Sequence, residues 1–444
     1  MSRDVIPVTI LSGSLGAGKT TLLNHLLREA TDRKIAVLVN DMGEINVDAA
    51  MVQNSEVEVE GGVTELSNGC ICCELRDDLE TAVVRLARER DFDSLVIEPS
   101  GISEPRPIAR LFTARSSAAA RYDVDAVVTV VDSRQFFDAF GGAGVAERRG
   151  PDEEGTRPLS DLLVEQVEFS NVVLLNKTDL VTGEELDAVE ELVRSLSPGA
   201  EIVRTTHSEV DPDRVLGRDL YDPATMADAA GWQRLLNESA DDAERSETET
   251  HGEHVRGEED HGGRDHGDHD GHGHDHGDHD GHGHDHGGHS HPMAEYGVTS
   301  FVYRRRRPFH PGRIADLLSN LPEAVVRSKG TCWIAGRDDL VVTYEQAGPS
   351  ARTTITGRWI AGLPEFEQDA YRRNHPEMKW DDEWGDRRNE LVFIGRGMDE
   401  AALRAALDDC LLTDEEMAAD WSAFENPFPG EAGGERVLVE PTPS

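Results

Sequence analysis

The chain is 444 residues long, carries 87 Asp and Glu against 44 Lys and Arg, and has a formal net charge of −43. That length suits two or three domains with a sizeable core. The charge argues against sequence-independent binding to nucleic acid or anionic membranes through phosphate contacts, with a local basic run at Arg304, Arg305, Arg306 and Arg307 as an exception. Only five of the cationic residues are lysines and the acids are spread along the whole chain. Such a composition is expected of a halophilic protein kept soluble in concentrated salt, where screening removes self-repulsion; an acidic protein of a high-GC genome is the alternative. Three of the five cysteines fall within four residues, which fits a metal or redox site in a reducing compartment better than a disulfide framework. With no signal-peptide pattern and no apolar stretch of about 18 residues, the expected location is the cytoplasm, with no membrane among the partners.

Residues 5–220 alternate short runs rich in Val, Ile and Leu with amphipathic stretches, the pattern of an α/β domain with a doubly wound, mostly parallel sheet. The first strand, residues 5–11, leads into GSLGAGKT, which fits G-x-x-x-x-G-K-[ST] and opens the helix TLLNHLLREA. Backbone N–H groups of Gly13, Ser14, Leu15, Gly16, Ala17, Gly18, Lys19, Thr20 and Thr21 are expected to cradle phosphate oxygens at the helix N-terminus. Lys19 should reach the β- and γ-phosphates and the Thr20 hydroxyl should hold Mg²⁺. A second strand, 35–40, runs into NDMGEINVD, where Asp41, Glu44 and Asp48 stand where a switch loop would meet Mg²⁺ and the γ-phosphate; Glu44 is the metal-ligand candidate, and solvated acids are the alternative.

NGCICC then sets Cys70, Cys72 and Cys73 just before a helix whose face is Leu75, Leu79, Val83 and Leu86, running to about Arg90. Three clustered thiolates can supply soft ligands to Zn²⁺ or Cu(I), and a nearby helix N-terminus favours the thiolate form. A purely redox role is the alternative. The strand at 94–97 ends in Glu98, placed to act on the Mg²⁺ shell or on water, and Gly101 follows where its N–H can address a γ-phosphate. After strands at 126–131 and 172–175 comes NKTD. There Asp179 can accept from guanine N1 and the exocyclic amine while Asn176 and the Lys177 stem shape the pocket, making the expected nucleotide GTP.

Apolar residues nearly vanish after residue 238, and DHDGHGHDHG occurs twice in tandem from Asp268. Such a segment cannot offset its conformational entropy and is expected to be a disordered linker. Its 14 histidines, among them His269, His272, His274, His276, His279, His282, His284 and His286, offer accessory, exchangeable metal ligands. Strand-then-helix patterns resume near residue 296, with a helix beginning near Pro311, and recur in ELVFIGRGMDEAALRAALDDCLL. They indicate a small α+β C-terminal domain, giving a division into 1–232, 233–295 and 296–444. His25 reads as a surface or packing residue, Cys332 and Cys410 as core residues, and His207 as either a pocket or a structural residue.

The motifs GSLGAGKTT, NDMGEINVD, ELSNGCICC, IEPSGISEP and NKTD, followed by SFVYRRRRPFHPGR and ELVFIGRGMD, resemble those of the CobW-type metallochaperone GTPases. The resemblance implies that Cys70, Cys72 and Cys73 of a CxCC motif bind a transferable metal, usually zinc, that the histidine tract is a variable accessory, and that the metal is loaded into a client metalloprotein under the control of GTP. Two departures stand out. Asp41 occupies a position where many members carry Glu, and Ser14 stands where some relatives have a second P-loop lysine that acts across a nucleotide-bridged dimer. No obligatory nucleotide sandwich is therefore implied, and the expected state is a monomer or a nucleotide- or metal-dependent homo-oligomer. A metal store or sensor with a regulatory nucleotide site, and delivery of Co²⁺ for cobalamin or of Ni²⁺, use the same parts.

Overall fold

The computed structural model describes residues 5–39, 63–65, 76–99, 101, 103–113, 116–140, 159–227, 230–237, 297–376 and 378–439. The N-terminal half is built on β1 (Ile6–Ser12), β2 (Ile35–Val39), β3 (Val63–Glu65), β4 (Ser94–Glu98), β5 (Tyr122–Asp132), β6 (Val172–Asn176) and β7 (Glu201–Arg204). They form one seven-stranded sheet in the order β3-β2-β4-β1-β5-β6-β7, and every pair is parallel. Side-chain alternation splits β2 cleanly. Ala36 and Leu38 pack with helices α2 (Arg76–Glu89) and α3 (Pro105–Thr113), whereas Val37 and Val39 pack with Leu22, Leu23 and Leu26 of α1 (Lys19–Glu29). Both faces are thus covered, which is why these strands read as continuous apolar runs.

Strand order reverses around β1, and the carboxyl ends of β1, β4, β5 and β6 meet there, the position where open α/β sheets bind ligands. Strand β5 begins four residues earlier than its apolar run at 126–131. Asp123 and Asp125 interrupt the pattern, but Asp125 is buried because it accepts hydrogen bonds from the Thr9 hydroxyl and from the backbone N–H groups of Gly217 and Asp219.

The C-terminal half is a six-stranded antiparallel sheet in the order β13-β11-β10-β9-β12-β8. Its strands are β8 (Val298–Arg305), β9 (Val325–Cys332), β10 (Leu340–Ala347), β11 (Ser350–Arg358), β12 (Asn389–Arg396) and β13 (Glu435–Val439). One face carries Phe301, Leu391 and Phe393 against two helices, Pro311–Ser319 and Glu400–Asp409. The first starts at Pro311 as its N1 residue, with His310 as the cap. The other face carries Val326, Val392 and Ile394 into the same core as Phe136 of α4 (Ser133–Phe140), Leu163, Val164 and Val167 of α5 (Leu159–Glu168) and Leu192 and Leu196 of α6 (Gly183–Leu196). The two sheets are therefore joined through α5 and α6, and each such buried aliphatic side chain contributes about 1.5–3 kcal/mol. Packing on the N-terminal side extends beyond 232: Leu235 and Leu236 lie against this shared core, and Arg304 donates to the Leu236 carbonyl across 2.6 Å.

Candidate functional site

The P-loop leaves β1 at Ser12 and its backbone runs against β5. A Cβ on Gly13, at φ +133°, would lie 2.2 Å from the Val130 carbonyl oxygen, so only glycine fits. Gly18, at φ +115°, would put a Cβ 2.4 Å from Asn176 Nδ2. The Lys19 Nζ curls back on the loop, donating to the carbonyls of Gly13 at 2.8 Å and Ser14 at 3.1 Å. At the start of α1 the Thr20 hydroxyl donates to Glu98 Oε1 across 3.0 Å. A hydroxyl and a carboxylate side by side at the end of a phosphate loop are a hard-oxygen pair suited to Mg²⁺. Gly101 abuts the loop as well, since a Cβ there would come 2.7 Å from the Leu15 nitrogen.

Asn176 ties the site together. Its Nδ2 donates to the Ala17 carbonyl at 2.8 Å and its Oδ1 accepts from the Ser208 backbone N–H at 2.9 Å. Lys177 adopts a left-handed conformation, φ 57°, and its Nζ donates to Asp132 Oδ2 at 2.6 Å. Asp179 is exposed in the short 3-10 turn that follows, Thr178–Leu180. The residues picked out by the motifs, Gly13 to Thr21, Glu98, Gly101, Asn176, Lys177 and Asp179, thus all stand at or just beyond the carboxyl ends of β1, β4 and β6.

Three participants carry no motif of their own. Asp132 ends β5 as Glu98 ends β4, so its place at a strand end is the signal that marks it in the sequence. Gln135 accepts from the Ser14 hydroxyl at 2.6 Å. Ser208, fully buried at φ 58°, donates its hydroxyl to the Gly18 carbonyl at 3.1 Å. Its neighbour His207 is exposed.

Cys70, Cys72, Cys73, Asp41, Glu44, Asp48 and the histidines from His251 to His291 lie outside the described residues. Among the described residues no group of three or more His, Cys, Asp or Glu could hold a metal. His25 serves packing: its Nε2 meets the Val210 carbonyl at 2.7 Å. Cys332 and Cys410 are buried core residues, and burial pushes the Cys410 thiol up to about 11. The basic run at 304–307 is neutralised, with Arg304 paired to Glu390, Arg305 to Asp408, Arg306 to Asp381 and Arg307 to Asp414. No helix among the described residues is long and apolar enough to cross a membrane.

Residues 7–204 match the family described as CobW/HypB/UreG, nucleotide-binding domain, and residues 298–411 match the cobalamin synthesis protein CobW C-terminal domain. The chain is 34% identical over 435 residues to the zinc-regulated GTPase metalloprotein activator 1 of Dictyostelium discoideum, covering 93% of this chain and 81% of that protein. It is 37% identical to the zinc chaperone CobW of Pseudomonas aeruginosa over 48% of this chain and 60% of that protein. Against the zinc chaperone YjiA of Escherichia coli it is 35% identical, over 46% and 59%. The nucleotide-binding sheet and the C-terminal sheet both match in their own places along the chain, so the chain belongs to the CobW-type family of metallochaperone GTPases.

Proposed function

We propose that this protein hydrolyses GTP to GDP and phosphate, binds zinc at Cys70, Cys72 and Cys73, and passes it to a client metalloprotein, with the nucleotide state setting the affinity for the metal. The observation that carries the GTPase reading is the 3.0 Å contact between the Thr20 hydroxyl and Glu98 at the mouth of the glycine cradle. Gly13, Ser14, Leu15, Gly16, Ala17, Gly18, Lys19, Thr20 and Thr21 would wrap the phosphates, with Lys19 leaving the loop carbonyls for the β- and γ-phosphates. A bound Mg²⁺ would neutralise phosphate charge beside Thr20. Glu98 would orient the attacking water, and the Gly101 N–H would address the γ-phosphate. Asn176, Lys177 and Asp179 would form the guanine pocket, with the Lys177 stem fixed by Asp132.

The metal half of the reading rests on the family and on the cysteine spacing, with Glu44 a further candidate ligand. Relatives named as zinc chaperones support zinc as the cargo. GTP would order the segments that bear the cysteines and so tighten the zinc site; hydrolysis would loosen it and release the ion. The linker histidines, including His269, His272, His274, His276, His279, His282, His284 and His286, would form an exchangeable pool that captures zinc near the tight site. In this reading the GTPase domain spans 1–237, including the helical residues around Leu235 and Leu236 that pack beyond the expected boundary at 232, the linker 238–295 and the C-terminal domain 296–444. The test is the metal content and GTP turnover of the unmodified protein beside a Cys70→Ser, Cys72→Ser, Cys73→Ser variant. The variant is expected to lose the tightly held ion; retention of that ion would overturn the assignment.

A further inference from the structure

Helix α5 presents three different faces. Leu163, Val164 and Val167 enter the apolar core. Asp161, Glu165 and Glu168, spaced four and three residues apart, line one stripe facing the C-terminal sheet. There the Ser350 hydroxyl donates to Asp161 at 3.0 Å, Arg352 reaches Glu165 at 3.5 Å, and Arg327 makes a two-pronged contact to Glu168 at 2.9 and 3.0 Å. Arg327 and Glu168 are both buried.

The third face is Gln166. This side chain is 1% exposed, and its Nε2 donates to the carbonyls of Gly101 at 3.2 Å and Ser103 at 3.4 Å. Both neighbours are acceptors, so the atom facing them is the side-chain amide nitrogen. Its backbone is equally constrained, because the Gln166 carbonyl accepts from Thr129 at 3.0 Å and from Ser170 at 2.6 Å. The peptide that Gln166 grips is the one lying against Leu15 of the P-loop.

We propose that Gln166 is a positioning residue for GTP hydrolysis, which holds the Gly101 peptide in place against the P-loop, and that Arg327 of the C-terminal sheet fixes its helix, making that sheet part of the hydrolytic machinery. The inference rests on the GTPase reading above. Among the described residues Gln166 makes no hydrogen bond to the glycine cradle of Gly13 to Thr21, and GDP lacks the γ-phosphate that the Gly101 N–H would address, so GDP binding is expected to depend little on the residue. Loss of Gln166 therefore separates turnover from diphosphate binding.

The experiment compares GTP turnover and GDP affinity in the full chain for Gln166→Glu and Gln166→Leu, near-isosteric changes that cannot donate to a carbonyl in their usual state at neutral pH. Each is expected to lower kcat about ten-fold or more while GDP affinity stays within about two-fold of the unmodified protein. Arg327→Lys keeps the charge but loses the planar fork, and the double variant Glu168→Met with Arg327→Met removes both buried charges. Both are expected to lower kcat in the same direction with GDP affinity retained. Unchanged kcat in both Gln166 variants overturns the inference, as does a fall in GDP affinity in step with kcat, the mark of a merely structural role. Absence of turnover in the unmodified protein would instead defeat the GTPase reading itself, and this inference with it.

Discussion

The Thr20 hydroxyl and the Glu98 carboxylate meet across 3.0 Å, joining the first turn of α1 to the carboxyl end of β4. Glu98 lies outside the glycine cradle and Thr20 belongs to it through its backbone N–H, so side-chain changes at either residue should largely spare GDP binding and strike turnover. Glu98→Gln keeps the hydrogen-bonding shape without the charge and is expected to lower kcat about 100-fold with GTP affinity largely intact. Thr20→Ala should raise the Mg²⁺ concentration needed for half-maximal turnover. Steady-state kinetics over a Mg²⁺ titration check both.

Replacing Gly18 by Ala forces a Cβ to within 2.4 Å of Asn176 Nδ2 at a φ of +115°. The cost is about 1–3 kcal/mol of backbone strain together with displacement of the Asn176 bond to the Ala17 carbonyl. The expected outcome is a lower Tm and a loss of GDP affinity, read by thermal unfolding with and without GDP.

The buried Arg327–Glu168 pair makes a stability prediction that needs no nucleotide. Arg327→Met or Glu168→Met alone leaves one buried charge without its hydrogen-bonded partner and is expected to cost about 3–5 kcal/mol. Replacing both residues by Met should cost far less than the sum of the two single changes. Urea unfolding of the four proteins closes the double-mutant cycle.

Glu345 is a further acid beside this joint. Burial alone would raise its pKa, but Lys329, Arg327 and Arg352 outweigh burial and bring it from 4.5 down to about 2. A carboxylate shifted this way stabilises the fold above its unfolded pKa and gives up that stability as pH falls toward the folded one. Glu345→Gln should therefore lose about 3 kcal/mol at neutral pH. The gap to the unmodified protein should narrow between about pH 4.5 and pH 2, as measured by urea unfolding across that range.

Much of the N-terminal sheet was legible because β1, β2, β4 and β6 are covered on both faces and so are almost purely apolar. Asp125 hid the start of β5, since a buried acid is allowed only by donors from Thr9, Gly217 and Asp219 that no local pattern reveals. The P-loop and NKTD could be read because their chemistry is local. Ser208 and Gln166 could not: each is an ordinary polar residue whose role comes from a partner 32 or 65 positions away. The joint between the two sheets was hidden in the same way. Val392 and Ile394 signal a strand buried on both faces, but nothing near them in the chain says that α5 and α6 cover the second face.

The most direct test of the account is the affinity of the protein for GTP in the presence and in the absence of zinc. If GTP tightens the cysteine site, zinc must tighten GTP by the same factor, and couplings of about 1–3 kcal/mol correspond to roughly 5- to 150-fold. The account predicts tighter GTP binding with zinc bound, and no such gain in the Cys70→Ser, Cys72→Ser, Cys73→Ser variant. Equal GTP affinities with and without zinc would contradict it.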